Sequence, residues 1–192
     1  MNSPVLYLAS ASPRRRELLR LLGIPFAVES AEVDEHTSLG ALDAVSELCR
    51  RKAAFCASRH PGSVILAADT LVALHDRPFG KPSDPEEAVS MLLELQGKCH
   101  QVHTGVCAVD PQGHFHQGVD SSHVTFYPMS EAEIRAYVRT GEPMDKAGAY
   151  ALQGIGGMFV KSVSGTPSGI IGLPLPLTRT LLGMCGISIL NS

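Results

Sequence analysis

Short unbroken apolar runs alternate along the chain with longer stretches whose apolar residues recur at helical spacing. Leu6-Tyr7-Leu8-Ala9 is such a run and predicts a short buried strand. Ser10-Ala11-Ser12-Pro13 then turns into a helix whose apolar face is Leu18, Leu19, Leu21 and Leu22. Ser12 is the expected N-cap, because its hydroxyl can accept from an unpaired N–H of the first turn, and Pro13 suits the first helical position. Gly23 ends that helix, and Phe26 to Ser30 predicts a second strand. Val45, Leu48, Cys49, Phe55 and Cys56 make Leu42 to His60 a long helix. Val64 to Leu74 is apolar and β-branched enough for a central strand. His75 to Pro78 reads as a turn, and Phe79-Gly80-Lys81-Pro82 as an irregular loop that brings Lys81 back near Asp69.

Asp84, Pro85 and Glu87 start a helix that runs to about Leu95, where Gly97 stops it. Gln101 to Val109 and His114 to Tyr127 form a hairpin about the turn Asp110-Pro111-Gln112-Gly113. Ser130 and Glu133 make a capping box for a helix to about Arg139. Met158 to Val163 is a strand, Gly165 to Gly169 a turn, Ile170-Ile171 a resumption of the strand, and Leu175 to Met184 a closing helix.

Four places break this pattern of core and surface. Arg14, Arg15 and Arg16 sit at a helix N-terminus, where partial positive charge makes each cation unfavourable by roughly 0.3–1 kcal/mol. Free N–H groups, Ser10, Ser12 and the guanidinium forks there suit phosphate oxygens, the rival reading being a solvated basic helix start with Glu17 and Arg20 paired. Asp69 interrupts an apolar strand, so it must be hydrogen-bonded, metal-bound or protonated. Such an acid is a functional candidate, against a structural Asp satisfied by backbone amides. Glu32, Asp34 and Glu35 crowd one loop and repel unless a cation or water relieves them. Finally, residues 141–154 are too rich in glycine and polar groups for a core element, and Gln153 lies where a backbone or ligand can approach closely. Lys52, in the run Arg50-Arg51-Lys52, reads on its own as part of a wet helix face.

The 192 residues suit a single domain of two lobes with a sizeable core. A net charge of −3 argues against a polyelectrolyte binder of nucleic acid, so positive charge here is a local matter. Five cysteines without CxxC spacing fit free thiols in a reducing cytoplasm. No secretory leader pattern appears, and no apolar run nears the ~18–20 residues of a membrane span. Cys99-His100-x-x-His103 and His114-x-His116 lack a second ligand pair at zinc spacing and read as alternating strand residues.

Ser10-x-Ser-Pro-Arg-Arg-x-Glu-Leu-Leu, Ala68-Asp69-Thr70, Lys81-Pro82, Gly141-Glu142-Pro143 through Asp145-Lys146-Ala147-Gly148-x-Tyr150 and Gln153-Gly154, and Gly172-Leu173-Pro174 occur in that order. Together they resemble the Maf family of nucleoside-triphosphate pyrophosphatases over essentially the whole chain. The resemblance implies an elongated two-lobed α/β fold around a bent mixed sheet, with an active-site cleft between the lobes. It implies a homodimer, a divalent cation (Mg²⁺ or Mn²⁺), and hydrolysis of an NTP to NMP and pyrophosphate. It further implies a catalytic Asp69, with Glu35 and Asp69 at the metal. Phosphate binding falls to Ser10, Arg14, Arg15, Lys52 and Lys81, and base choice to Arg14, Thr70 and Gln153.

Asp145-Lys146-Ala147-Gly148 with Gln153 is similar to the branch acting on dTTP and UTP, whereas the branch for 7-methyl-GTP carries a glutamate near that glutamine. A glutamine offers an acceptor and a donor, matching the N3–H and O4 edge that uracil and thymine share. Two places depart from the family pattern: Thr166-Pro167-Ser168 in a loop usually without proline, and Arg50-Arg51 before the lysine. The alternatives are a nucleotide-binding regulator of septum formation with incidental hydrolysis, and a purine-directed pyrophosphatase of the same fold.

Overall fold

A computed structural model describes residues 5–190. In chain order the elements are β1 (Leu6–Ala9), α1 (Pro13–Arg20), β2 (Ala27–Glu29), α2 (Ala41–Arg59), β3 (Val64–Leu74), β4 (Arg77–Phe79), α3 (Pro85–Leu95), β5 (Cys99–Val109), β6 (Phe115–Phe126), α4 (Glu131–Val138), β7 (Val160–Ser164), α5 (Pro167–Ile171) and α6 (Leu175–Met184). Three short 3-10 turns, Glu142–Asp145, Ala147–Ala149 and Ile155–Phe159, fill the glycine-rich stretch between α4 and β7.

The strands form one mixed sheet in the order β2-β1-β3-β5-β6-β7, with β4 also on β3. β1 runs parallel to β2 and β3, and the other pairs are antiparallel. β5 lines one side of β3 from Ile65 to Ala73. On the other side β1 pairs only as far as Leu66, and β4 begins only at Val72. The sheet is therefore split beside residues 67–71, and Asp69 and Thr70 sit in the split. A cleft at this point follows from strand pairing alone.

Each side of the split has its own core. Leu66 and Ala68 pack with Leu6 and Leu8 of β1, Leu19 of α1 and Leu182 of α6. Ile65 and Ala67, on the opposite face, pack under Cys49, Ala53 and Cys56 of α2. Beyond the split, Val72 and Leu74 join Leu92 and Leu95 of α3, Ile134 of α4, Phe126 and Tyr150. Each fully buried leucine or isoleucine contributes about 1.5–3 kcal/mol, so both lobes are held from within.

Most elements lie where the apolar pattern puts them, and the differences have local causes. Arg77–Phe79, expected as turn and loop, is a strand on β3, the reversal being confined to His75 and Asp76 at φ 50° and 65°. Ile170-Ile171 does not resume a strand. It ends α5, which opens at Pro167 and stops at Gly172 with φ 126°. Five residues are too few to show a helical period, so the proline and glycine at its ends decide. Ser12 precedes α1, but its side chain makes no capping bond. Instead its N–H donates to Ser10 Oγ at 3.2 Å. No helix among the described residues is long and apolar enough to cross a membrane.

Candidate active site

Asp69 stands on the α2 face of β3, opposite Gly105 on β5. A Cβ at position 105 would come within 2.3 Å of the Val45 carbonyl oxygen, so only glycine lets α2 lie this close. That approach carries Lys52 to Asp69, its Nζ standing 2.5 Å from Asp69 Oδ1. The same ammonium is 2.7 Å from Glu35 Oε1. Lys52 and Asp69 are 8% and 7% exposed, so this pair is shielded from water and each charge depends on the other. Burial would raise the Glu35 carboxyl, but the hydrogen bond and charge of Lys52, with Lys81 and Arg15 nearby, outweigh it and hold the group below its ordinary value.

The basic run Arg50-Arg51-Lys52 is divided three ways. Arg50 lies over the Phe115 ring. Arg51 pairs with Glu47 and donates to the carbonyls of Asp34 and His36 at 3.2 and 3.3 Å. It thereby pins the loop that carries Glu35. Lys52 turns inward, which the wet-face reading did not anticipate, because helical rotation gives it the direction of buried Cys49 and Cys56.

The other wall is built on α1. Arg15 Nε donates to the Gly172 carbonyl at 2.8 Å, Nη1 to Ser10 Oγ at 3.3 Å and Nη2 to Thr70 Oγ1 at 3.2 Å. Thr104 donates its hydroxyl proton to the Gly169 carbonyl at 2.8 Å. Thr70 therefore donates to Thr104 across 2.9 Å and accepts from Arg15. Burial lowers the Arg15 pKa against the attraction of Asp69, but a guanidinium so placed stays charged at neutral pH. Three of its five N–H groups serve the protein, so Arg15 ties β1, β3 and the end of α5 together as well as facing the cleft.

Arg14 reaches the opposite lobe. Its Nη1 is 2.8 Å from Asp145 Oδ2, and its Nη2 donates to the Asp145 carbonyl at 3.2 Å. Lys146 also contacts the Asp145 carboxylate. Partial burial alone would raise the Asp145 carboxyl, but the two cations hold it down at about 2. Asp145 and Lys146, which the sequence reading used only as part of a branch pattern, are cleft residues to which it gave no contact. The signal was present, two adjacent charges inside a glycine-rich stretch.

The two walls border one cleft of about 700 Å³. Ser10, Arg14, Arg15, Glu35, Lys52, Asp69, Thr70, Lys81 and Gln153 all line it, as do Asp145 and Lys146. Arg14, Arg15, Lys52, Lys81 and Lys146 outnumber the carboxylates Glu35, Asp69 and Asp145, so the cleft is basic inside a net-acidic chain. Lys81 and Gln153 are exposed at its mouth and make no hydrogen bond to Asp69 among the described residues.

The sequence profile of the family described as Maf-like protein matches residues 5–185. The chain belongs to this family. A dTTP/UTP pyrophosphatase of Myxococcus xanthus is 49% identical over 97% of this Maf-like chain and 95% of its own length. That of Deinococcus radiodurans is 43% identical over 97% and 96% respectively. That of Anaeromyxobacter dehalogenans is 47% identical over 96% and 95%. Among solved structures, a nucleoside-triphosphatase / dITP/XTP pyrophosphatase from Mycobacterium abscessus matches 65% of the chain and 75% of its own, at 17% identity and a TM-score of 0.41, a likeness too slight to add to the family match.

The donor set of this Maf-like cleft suits a hard divalent cation held jointly with phosphate. Among the described residues no group of three or more His, Cys, Asp or Glu side chains forms a protein-only cage. Two carboxylates, Glu35 and Asp69, do converge on one cationic point, now the Lys52 ammonium. Mg²⁺ is commonly bound by one or two carboxylates with water and substrate phosphates completing the shell. Asp69 Oδ2 makes no hydrogen bond among the described residues and is available to a cation or a water.

Proposed function

We propose that this Maf-like protein hydrolyses pyrimidine nucleoside triphosphates, dTTP and UTP first among them, to the monophosphate and pyrophosphate, clearing surplus or modified nucleotides. One observation carries the reading. A buried Asp69–Lys52 pair, with the exposed Glu35 on the same ammonium, shares a basic cleft with Gln153, in a chain 49% identical to a dTTP/UTP pyrophosphatase.

In the proposed reaction a water oxygen bonds to the α-phosphorus while the bond from that phosphorus to the α–β bridging oxygen breaks. Asp69 takes the water's proton, and Lys52, bonded to its Oδ1, holds the carboxylate in place. Negative charge grows on the departing pyrophosphate, where Arg14, Lys81 and the free edge of Arg15 meet it. Ser10 adds a hydroxyl at the end of β1. A divalent cation, Mg²⁺ or Mn²⁺, would be held by Asp69 and Glu35 and would supply Lewis acidity and neutralise phosphate charge. Gln153 reads the N3–H and O4 edge shared by uracil and thymine, so UTP and dTTP are poorly distinguished. Thr70 contributes by holding Arg15, with Arg14 beside it at the mouth. A homodimer and a cytoplasmic location belong to the same proposal on the family resemblance, and sedimentation tests the first.

The deciding experiment measures pyrophosphate release from a panel of NTPs and dNTPs with Mg²⁺ or Mn²⁺, on wild type and Asp69→Asn. Release strongest for dTTP and UTP, and reduced on the order of 10³-fold in the variant, is the expected result. Release confined to purine nucleotides would remove Gln153 as the reader of the base. No release from any nucleotide would overturn the enzymatic reading.

A further inference from the structure

Gln153 is the exposed middle of a segment whose backbone is fastened on both sides. Glu142, half-buried behind it and outside the cleft lining, does the fastening. Its Oε2 accepts from Ile155 N–H at 2.9 Å, and its Oε1 accepts from Gly156 N–H at 2.9 Å. Oε1 also accepts from the Tyr137 hydroxyl at 2.7 Å. That hydroxyl in turn accepts from Ala151 N–H at 3.3 Å. The glycines are required by this packing. A Cβ on Gly154 would lie 2.3 Å from Glu142 Oε2, and one on Gly156 would lie 2.5 Å from the Tyr137 hydroxyl. The Glu142 carbonyl further accepts from Lys146 Nζ at 3.0 Å, which continues the same scaffold toward Asp145.

We propose that Glu142 is a positioning residue for base selection, acting with Tyr137 to hold the 151–156 segment so that the Gln153 amide meets the base edge at one fixed place. The inference rests on the reading of Gln153 as the reader of the base. Its physical reason is the acceptor count. Three donors converge on one carboxylate, and no neutral side chain of that size offers acceptors on both arms. Burial would raise the Glu142 carboxyl, but the Gly156 N–H, the Tyr137 hydroxyl and the Ile155 N–H hold it below its ordinary value, so it remains an acceptor at both oxygens. In Glu142→Gln the amide NH₂ must face a backbone N–H. One strand of the scaffold then moves, and Gln153 moves with it.

The test measures kcat/KM for UTP and GTP in wild type, Glu142→Gln, Tyr137→Phe, Gln153→Ala and the double variant Glu142→Gln/Gln153→Ala. Glu142→Gln is expected to lower the UTP-to-GTP preference roughly tenfold, chiefly through a higher KM for UTP, while kcat/KM for GTP stays within about twofold. Tyr137→Phe, which deletes the hydroxyl between Glu142 and the Ala151 N–H but leaves both backbone N–H bonds to Glu142, should act in the same direction by a smaller factor, and it carries the test if Glu142→Gln does not fold. In the Gln153→Ala background Glu142→Gln should cost no further preference. Equal losses for both nucleotides, or an undiminished effect in that background, would overturn the inference and mark Glu142 as merely structural. A wild type that prefers GTP refutes the pyrimidine reading instead, and Glu142 is then judged on that preference. A wild type with no base preference refutes both. If nothing is turned over, the same ratio is read from the Kd of UTP and GTP by calorimetry, with the same criteria.

Discussion

At the residue scale, the site depends on charges kept out of water. Lys52 is a buried cation shared by two carboxylates, and removing it leaves the buried Asp69 charge uncompensated. The Asp69→Asn variant proposed above keeps the shape and removes the charge. His100 shows the same physics in the core. It is 1% exposed, Nε2 is 2.9 Å from the Tyr150 hydroxyl, and Nδ1 has no partner among the described residues. Burial pulls its pKa down to about 4. The unfolded chain, with an ordinary value of 6.5, binds a proton here that the folded chain refuses. Stability from this residue is therefore fully present above about pH 6.5 and is lost as pH falls toward 4, by about 3 kcal/mol in all. His100→Phe should melt lower than wild type at pH 7, because Tyr150 loses its partner. Its further drop between pH 7 and 5 should be smaller than that of wild type, and thermal unfolding at the two pH values checks this.

At the element scale, the spacing between α2 and the sheet sets the catalytic cluster. Gly105 is where that spacing is fixed, and the atom its Cβ would strike belongs to backbone. Gly105→Ala is expected to destabilise the fold by at least roughly 1–3 kcal/mol and to lower kcat, because Lys52 is displaced from Asp69. Gly183 in α6 provides the opposite case, with nothing among the described residues within 4 Å of where a Cβ would stand. Gly183→Ala should stabilise by roughly 0.5–1 kcal/mol through helix entropy and leave activity unchanged. Urea titration and steady-state kinetics on both variants separate the effects. Capping also shows what is legible locally. Asp84 accepts from Glu87 N–H, and Ser130 and Glu133 form the full capping box expected of them. Ser12 has the right residue type at the right place, but its side chain caps nothing, and its own N–H donates to Ser10 Oγ at the edge of the cleft.

At the scale of the whole molecule, a chain of net charge −3 presents a cleft in which five cations face three carboxylates. Attraction of a polyanionic substrate is then local and sensitive to salt. Because the Debye length shrinks from about 30 Å at 0.01 M to about 8 Å at 0.15 M, kcat/KM for UTP should fall several-fold over that range. Lys81→Met, which removes an exposed cation at the mouth, should flatten the dependence. The Arg14–Asp145 pair spans the same mouth between residues 131 apart in the chain. A phosphate that takes Arg14 must compete with that carboxylate, which its two cations keep ionised.

The sequence by itself determined the strands other than β4, the long helices and the caps at Asp84 and Ser130, because apolar period and turn chemistry act over a few residues. It also marked Asp69 and the Arg14-Arg15 pair, since charges in those local settings are unfavourable unless something else answers them. The charge balance of the chain revealed nothing of the basic cleft, which exists only once residues 10 to 153 are brought together. The contact of Lys52 with Asp69, the use of Thr70 to hold Arg15, the latch from Arg14 to Asp145 and the hold of Glu142 on the Gln153 segment were decided by tertiary structure. Each is a contact between distant parts of the chain. Such contacts are set by where β1 stops and β4 starts along β3 and by how closely α2 lies on Gly105, and no local pattern encodes either distance.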